Sequence, residues 1–545
     1  MIRLGLLLCI FAKLTTSLED RVINIDQGPV RGYRPEGGDY FVFYSIPYAT
    51  APSGDNKFGP PLPAPKWNET YEAVQNYVIC PQGVRVRNGQ IVKLDPKYKK
   101  QEDCLFANIY VPDTNETSLP VLVFFHGGAY QYNYGNVKTP THLLESKKVV
   151  IVNFNYRLGP HGFLSLGTKD IPGNAAMKDQ LALLRWVQRN IANFGGNPND
   201  VTIDGWSAGA SSVDLMIVSK VAKGLFHKVI PESGNNVASV AVQNDPLANA
   251  KMYASQLGFV DVNNLENLQA FYKNITYDVL FSIDVSHRPD ASTVFAPCVE
   301  RDVGQELFLD DYPINILKSG NFTKVPMLYG ITNMEGLYRL EDFNSFKDKM
   351  NQNFTEFLPV DLKFKDEEDR KEVENQIKTF YFNNEPVNEK NILGYIKYGS
   401  DVMFAAGTAR SAELQAAAGN QEVYLYEYVF VDINEAYINF TQTRGAGHAA
   451  GNKAIMDSGD ESTLSEEFRS MKKIMRDLWL NFVTTGNPVP PCSSYPKWPT
   501  VSQENLSYMV LNSTLSVKKN FQKDTLKFWH KIYKNHYKHP IAPQN

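Results

Sequence analysis

Several things are scarce or missing in this chain, and each absence excludes something. After the first dozen residues no stretch approaches the roughly 18 consecutive apolar residues that a membrane-crossing helix needs, so no transmembrane anchor is expected. The C-terminal run Lys538-His539-Pro540-Ile541-Ala542-Pro543-Gln544-Asn545 is polar and carries neither a lipid-anchor tail nor an ER-retention signal. Cysteine is sparse, with five in 545 residues, and the spacing of Cys298 and Cys492 is not that of a metal site. Neither sign of charge dominates: 55 basic against 59 acidic residues give a net charge of −4. That balance favours neither nucleic acid nor an anionic membrane as partner. No Pro/Gly/Ser-rich linker, repeat or low-complexity tract divides the chain, although its length alone would suggest roughly two to four domains.

The chain starts with features of export. Arg3, the apolar run Leu4 to Ala12 and the small residues Thr15-Thr16-Ser17 read as a secretory signal peptide over residues 1–17. Asn68, Asn115, Asn274, Asn321, Asn353, Asn439, Asn505 and Asn512 each begin an N-x-S/T sequon, a consistent set of glycan acceptors for a secreted, extracellular protein. Cys9 leaves with the signal. Cys80, Cys104, Cys298 and Cys492 remain, and sequence alone allows three pairings of them.

The chemistry is announced by Gly205-Trp206-Ser207-Ala208-Gly209, which fits G-x-S-x-G. In that pattern a sharp strand-to-helix turn lifts a serine hydroxyl out of a sheet, and the glycines let strand and helix close on the turn. The flanks agree: Val201-Thr202-Ile203-Asp204 reads as a strand, and Ala208 to Leu215 as a helix rich in small residues.

A serine nucleophile needs a base, an acid to orient the base, and donors for the charge that develops on the carbonyl oxygen. Upstream, Val121-Leu122-Val123-Phe124-Phe125 reads as a strand buried on both faces and ends in His126-Gly127-Gly128-Ala129, similar to the H-G-G-G oxyanion loops of esterases. Glu335 follows a strand expected over residues 324–330 and is the candidate acid. His448 follows the alternating segment Glu422 to Phe430 and the small residues Gly445-Ala446-Gly447, and is the candidate base. His161 and His227 sit in ordinary-looking segments and read as structural. The order serine, acid, histidine is that of α/β-hydrolases, and each candidate follows the C-terminal end of an expected strand, where open α/β sheets place their sites.

With these parts in place the chain resembles the type-B carboxylesterases, the family that includes the cholinesterases, and its style is closest to insect secreted members. The marks are Tyr44-Ser45-Ile46-Pro47-Tyr48-Ala49, Glu102-Asp103-Cys104-Leu105, Asn155-Tyr156-Arg157-Leu158-Gly159, Asp179-Gln180 through Arg185-Trp186-Val187 with Asn190-Ile191, and Phe194-Gly195-Gly196-Asn197-Pro198. The resemblance runs from about residue 20 to the C-terminus. It implies one α/β-hydrolase domain over residues 18–545, with a central, mostly parallel sheet flanked by helices. It also implies a Cys80–Cys104 disulfide, oxyanion donors at the N–H groups of Gly127, Gly128 and Ala208, and Ser233 beside Glu335. No metal or organic cofactor is implied, and the partner is a small-molecule ester. Oligomeric state is not legible.

The departures narrow the reading. Trp206 stands where the family often has Glu and juvenile-hormone esterases have Gln, which argues against a hormone substrate. Between Cys80 and Cys104 there is no tryptophan to receive a choline head group; Arg85, Arg87, Lys93, Lys97, Lys99 and Lys100 stand there instead, which argues against a cholinesterase. Lys57 replaces the usual arginine, so an ion pair with Glu102 would lose its bidentate geometry. After His448 the acidic residue common in relatives is replaced by Ala449-Ala450-Gly451-Asn452, which bears on the packing of that loop though not on the imidazole itself. Tyr130, Tyr132 and Tyr134 suggest an aromatic pocket for an apolar ester such as an odorant, pheromone, dietary or xenobiotic ester, with packing in the core as the equal alternative. The expected function is a secreted serine carboxylesterase working through an acyl-enzyme. The rival is an inactive member serving adhesion or ligand sequestration, with the bulk of Trp206 over the elbow as its main support.

Overall fold

The computed structural model describes residues 19–544 except 88–89, 286–287, 457–458 and 503. The expected signal segment, with Cys9, lies outside the described residues. The backbone is organised by one mixed sheet. Its strands are β1 (Asp20–Ile25), β2 (Gly28–Tyr33), β3 (Tyr40–Pro47), β4 (Phe106–Pro112), β5 (Leu119–Phe125), β6 (Val150–Phe154), β7 (Gly196–Trp206), β8 (Lys228–Glu232), β9 (Met327–Thr332), β10 (Val423–Tyr428), β11 (Tyr508–Leu511) and β12 (Ser516–Lys518). Their order is β1-β2-β3-β4-β6-β5-β7-β8-β9-β10-β11-β12, with the two-residue strand Tyr71–Glu72 added beside β2. The strands from β6 to β11 in that order run parallel, and antiparallel strands close both edges. This is the α/β-hydrolase fold expected from the sequence.

Period-two alternation explains why the central strands are apolar throughout. Val121, Val123 and Phe125 of β5 face one core and Leu122 and Phe124 the other. The first core is covered by α1 (Ala175–Asn190), α2 (Ala208–Val218) and α3 (Ala406–Ala417). After α4 (Ala450–Ile455), α5 (Glu466–Thr485) covers the second with Met471, Met475, Leu478, Trp479 and Phe482. A third apolar cluster joins the helical segment 343–402 to Trp529 and Ile532.

Two of the family-like motifs meet in this core. Arg157 donates through Nε and Nη2 to the two carboxylate oxygens of Asp179 at 2.8 and 2.6 Å, both residues fully buried. Its Nη1 donates to the carbonyls of Lys57 and Gly59. The Cys80–Cys104 disulfide is present. Cys298 is a buried free thiol, pushed up to about 12 by burial, and Cys492 is exposed and free.

Candidate active site

Seven-strand parallel order brings the loops that follow β5, β7, β8 and β9 to one edge of the sheet. Ser207 sits at the end of β7 with φ 59° and ψ −124°, a conformation that non-glycine residues adopt only under constraint. Close packing supplies the constraint. A Cβ on Gly209 would lie 2.1 Å from the carbonyl oxygen of Phe125, and one on Gly205 would lie 2.4 Å from the backbone of Gly209. The Ser207 N–H donates to the Glu232 carbonyl across to β8 at 2.9 Å.

Glu335 begins a 3-10 turn just past β9 and is fully buried. Its Oε1 accepts the Thr332 N–H at 2.7 Å and the Ser233 hydroxyl at 2.5 Å, and its Oε2 lies 2.5 Å from His448 Nδ1. The three donors fix the carboxylate in one orientation. His448 is boxed by rings: Phe404 stacks on it at 4.6 Å, and Tyr338 and Trp206 lie at 5.6 and 6.1 Å. The loop that carries it is pinned to the β9 turn, because the Ala446 N–H donates to Asn333 Oδ1 and the Met334 N–H to the Ala446 carbonyl.

The loop after β5 is held by its own histidine. His126 is buried, stacks on Tyr156 at 4.2 Å and places Nδ1 2.9 Å from the Gly127 carbonyl, which also accepts from Asn133 Nδ2. Burial draws the His126 ring down to about 4, so it is a neutral strut. Among the described residues no protein acceptor takes the N–H groups of Gly127, Gly128 or Ala208. They stand beside Ser207 as free donors: the Gly127 Cα is so close that a Cβ there would be 2.9 Å from the serine Cβ.

Ser207 and His448 line one cavity of about 200 Å³ together with Gly128, Ala208, Tyr130 and Tyr132. Trp206 forms part of its wall and leaves the elbow open. Arg288, Arg339, Glu341 and Asp342 also line it. A serine hydroxyl, a carboxylate-anchored imidazole and the Gly128 and Ala208 N–H donors on one cavity, with Gly127 beside the serine, are the parts that acyl transfer requires.

Comparisons with known proteins bear on this geometry over nearly the whole chain. The carboxylesterase family model matches residues 19–529. The chain belongs to the carboxylesterase family. A carboxylic ester hydrolase of Bombus ignitus is 31% identical over 524 residues, covering 93% of each chain. Esterase FE4 of Myzus persicae is 32% identical over 513 residues, covering 89% of this chain and 88% of the relative. The crystal structure of juvenile hormone esterase from Manduca sexta, with OTFP covalently attached, superposes with a TM-score of 0.80 at 27% identity over 95% of this chain and all of that one. Ester hydrolysis is the activity of this carboxylesterase.

Three expectations change. Tyr134 does not line the cavity; it packs on Tyr98 at 4.5 Å because its side chain leaves the loop on the far side. Lys57 makes no ion pair with Glu102; its ammonium turns to the carbonyls of Lys273 and Ile275 at 2.9 and 2.6 Å. The segment after His448 is not left loose without its acid, because Asn452 Nδ2 donates to Glu232 Oε1 at 2.6 Å. His161 and His227 are structural: His161 is buried against the Tyr277 hydroxyl, and His227 Nδ1 accepts the Val201 N–H. Tyr338 and Phe404, which frame His448, were not legible beforehand. No motif marks an aromatic ring whose only task is to wall an imidazole.

Proposed function

We propose that this carboxylesterase is a secreted serine enzyme for small, largely apolar esters, with Ser207 as nucleophile, His448 as general base and Glu335 as its orienting acid. Ser207 Oγ attacks the ester carbonyl while His448 takes its proton. The N–H groups of Gly127, Gly128 and Ala208 receive the oxyanion, each such donor typically giving about 10²–10³ in rate. The alcohol departs with the proton from His448, and water, activated by the same imidazole, releases the acid. The observation that carries the reading is the Ser233–Glu335–His448 hydrogen-bond chain ending on the cavity that also holds Ser207. Trp206, Tyr130, Tyr132, Tyr338, Phe404 and Met403 support an apolar substrate.

Secretion is supported by the N-terminal leader pattern and by the sequons, of which all but the half-buried Asn505 are exposed. The residues from 18 onward are read as one hydrolase domain. Hydrolysis of short-chain nitrophenyl esters and labelling by a fluorophosphonate should both disappear in Ser207→Ala. Wild-type-like turnover in that variant would defeat the assignment, and a shift on glycosidase treatment of the exported protein tests the sequons.

A further inference from the structure

Directly behind the elbow lies a pair of carboxyls that the proposed reaction does not use. Asp204 on β7 and Glu232 on β8 are 0% and 2% exposed. Asp204 alternates with Trp206, and Trp206 is the register partner of Glu232, so all three side chains share the face covered by α5. The polar groups acting on Asp204 are the Glu232 carboxyl, the Trp479 indole and, by its charge, the Lys138 ammonium, yet neither Asp204 oxygen nor Trp479 Nε1 completes a well-formed hydrogen bond. Two carboxyls in such surroundings do not both ionise; at least one keeps its proton. Burial is the main cause, and it pushes Glu232 up to about 7 and Asp204 well above the carboxylate range.

Glu232 touches the machinery around every member of the proposed triad. Its carbonyl accepts the Ser207 N–H. Its neighbour Ser233 holds Glu335. Its Oε1 accepts from Asn452, in the helix that starts just after His448. Asn452 Oδ1 in turn accepts from the Lys138 ammonium, which sits 5.2 Å from the Trp206 ring centre. Among the described residues a further titratable neighbour is the Tyr426 hydroxyl, 3.5 Å from Glu232 Oε2.

We propose that the Asp204–Glu232 pair is a proton-sharing positioning element: singly ionised, it orients Asn452 and, through Lys138, Trp206, and so seats His448 against Ser207. Asp204 is the member that stays neutral and Glu232 the one that carries the charge. The inference rests on the assignment of Ser207 and His448 above. As pH falls through about 7 the pair gains its second proton, the pull on Asn452 and Lys138 weakens, and turnover declines.

The test is the pH dependence of kcat for wild type, Glu232→Gln and Asp204→Asn, with near-isosteric variants chosen to preserve the fold. The wild-type acid limb should be steeper than a one-proton curve. Glu232→Gln should lower kcat roughly ten- to a hundredfold with little change in KM, and its acid limb should become single-proton. Asp204→Asn should leave the acid limb close to that of the wild type, because an amide replaces a carboxyl that is already neutral. In the infrared spectrum at pH 8, wild type should show a buried protonated-carboxyl stretch that Asp204→Asn lacks. Superimposable pH profiles of wild type and Glu232→Gln, with turnover that depends on Ser207, would overturn the positioning role alone. A missing carboxyl band would overturn it whatever the activity, and a wild type with no Ser207-dependent turnover would overturn both this proposal and the site assignment.

Discussion

His448 Nδ1 and Glu335 Oε2 lie 2.5 Å apart, with the glutamate fully buried and the imidazole opening onto the cavity. Such a contact fixes the tautomer, leaving Nε2 as the nitrogen that can accept a proton. Glu335→Gln keeps the shape and removes the charge that, in the proposed mechanism, stabilises the imidazolium. By analogy with serine proteases, kcat should fall by about 10³–10⁴ while KM moves little. Steady-state kinetics on the folded variant check this, and a loss under tenfold would show that the glutamate does not orient the base.

Much of this arrangement was legible because its signals are local. The apolar run Val121 to Phe125 reads as a strand covered on both faces, and the alternation of its side chains between two cores is the reason. Ser207 and its glycines form one turn, so adjacent letters carry the geometry. Other features depend on register or on side-chain direction. Asp204 sits inside a strand that reads as β-branched and apolar, and nothing nearby says that it faces Glu232, because that pairing arises from the alignment of β7 with β8. Tyr134 and Lys57 went elsewhere than expected for the same reason: the loop's path decides which way a side chain leaves it.

The buried Arg157–Asp179 pair makes a stability prediction. Neither side chain reaches solvent. Arg157→Met would strand a buried carboxylate, and breaking such a pair typically costs about 3–5 kcal/mol. The double variant Arg157→Met/Asp179→Leu should recover part of that loss, since contacting residues couple non-additively. Denaturant midpoints of both singles and the double measure the coupling; simple additivity would refute it.

Stability should fall as pH rises from about 6.5 to 8. Burial, the leading cause in each case, holds Asp214 and Glu232 up to about 7 and Asp361 up to about 6. These groups keep protons in the folded state that the unfolded chain has already released, so their contribution is fully present below the unfolded values and is lost as pH climbs through the folded ones. His126, drawn down to about 4, and His161, also lowered by burial, act in the opposite sense below about pH 6.5. The midpoint of thermal unfolding should therefore pass through a maximum on the acid side of neutrality. A midpoint unchanged between pH 6.5 and 8 would mean that Asp214 and Glu232 are ionised in the native protein.

The disulfide closes a loop whose ends are 24 residues apart, and both cysteines are buried. A loop of that size is worth roughly 3 kcal/mol in the chain-entropy model. Cys80→Ser/Cys104→Ser should lower the unfolding midpoint accordingly while leaving the spacing of Ser207, Glu335 and His448 intact. Residual kcat near that of the wild type, measured well below the lowered midpoint, is the expected outcome; a dead but folded double variant would tie the loop to the active site itself.

Gly127 separates the oxyanion donors from the rest of the proposal. A Cβ there would lie 2.5 Å from the Trp206 carbonyl oxygen and 2.9 Å from the Ser207 Cβ, distances that force backbone to move. The loop cannot yield toward the core, because Tyr156 and Asn133 tie it down. Gly127→Ala should thus displace the Gly127 and Gly128 N–H groups from the oxyanion position and lower kcat by about 10²–10³ for each donor lost. The Ser233–Glu335–His448 chain is untouched by this change. Tight binding of a substrate-like ketone inhibitor should weaken in parallel with kcat, since both depend on the same N–H donors. Unchanged turnover would show that the oxyanion is received elsewhere in the cavity.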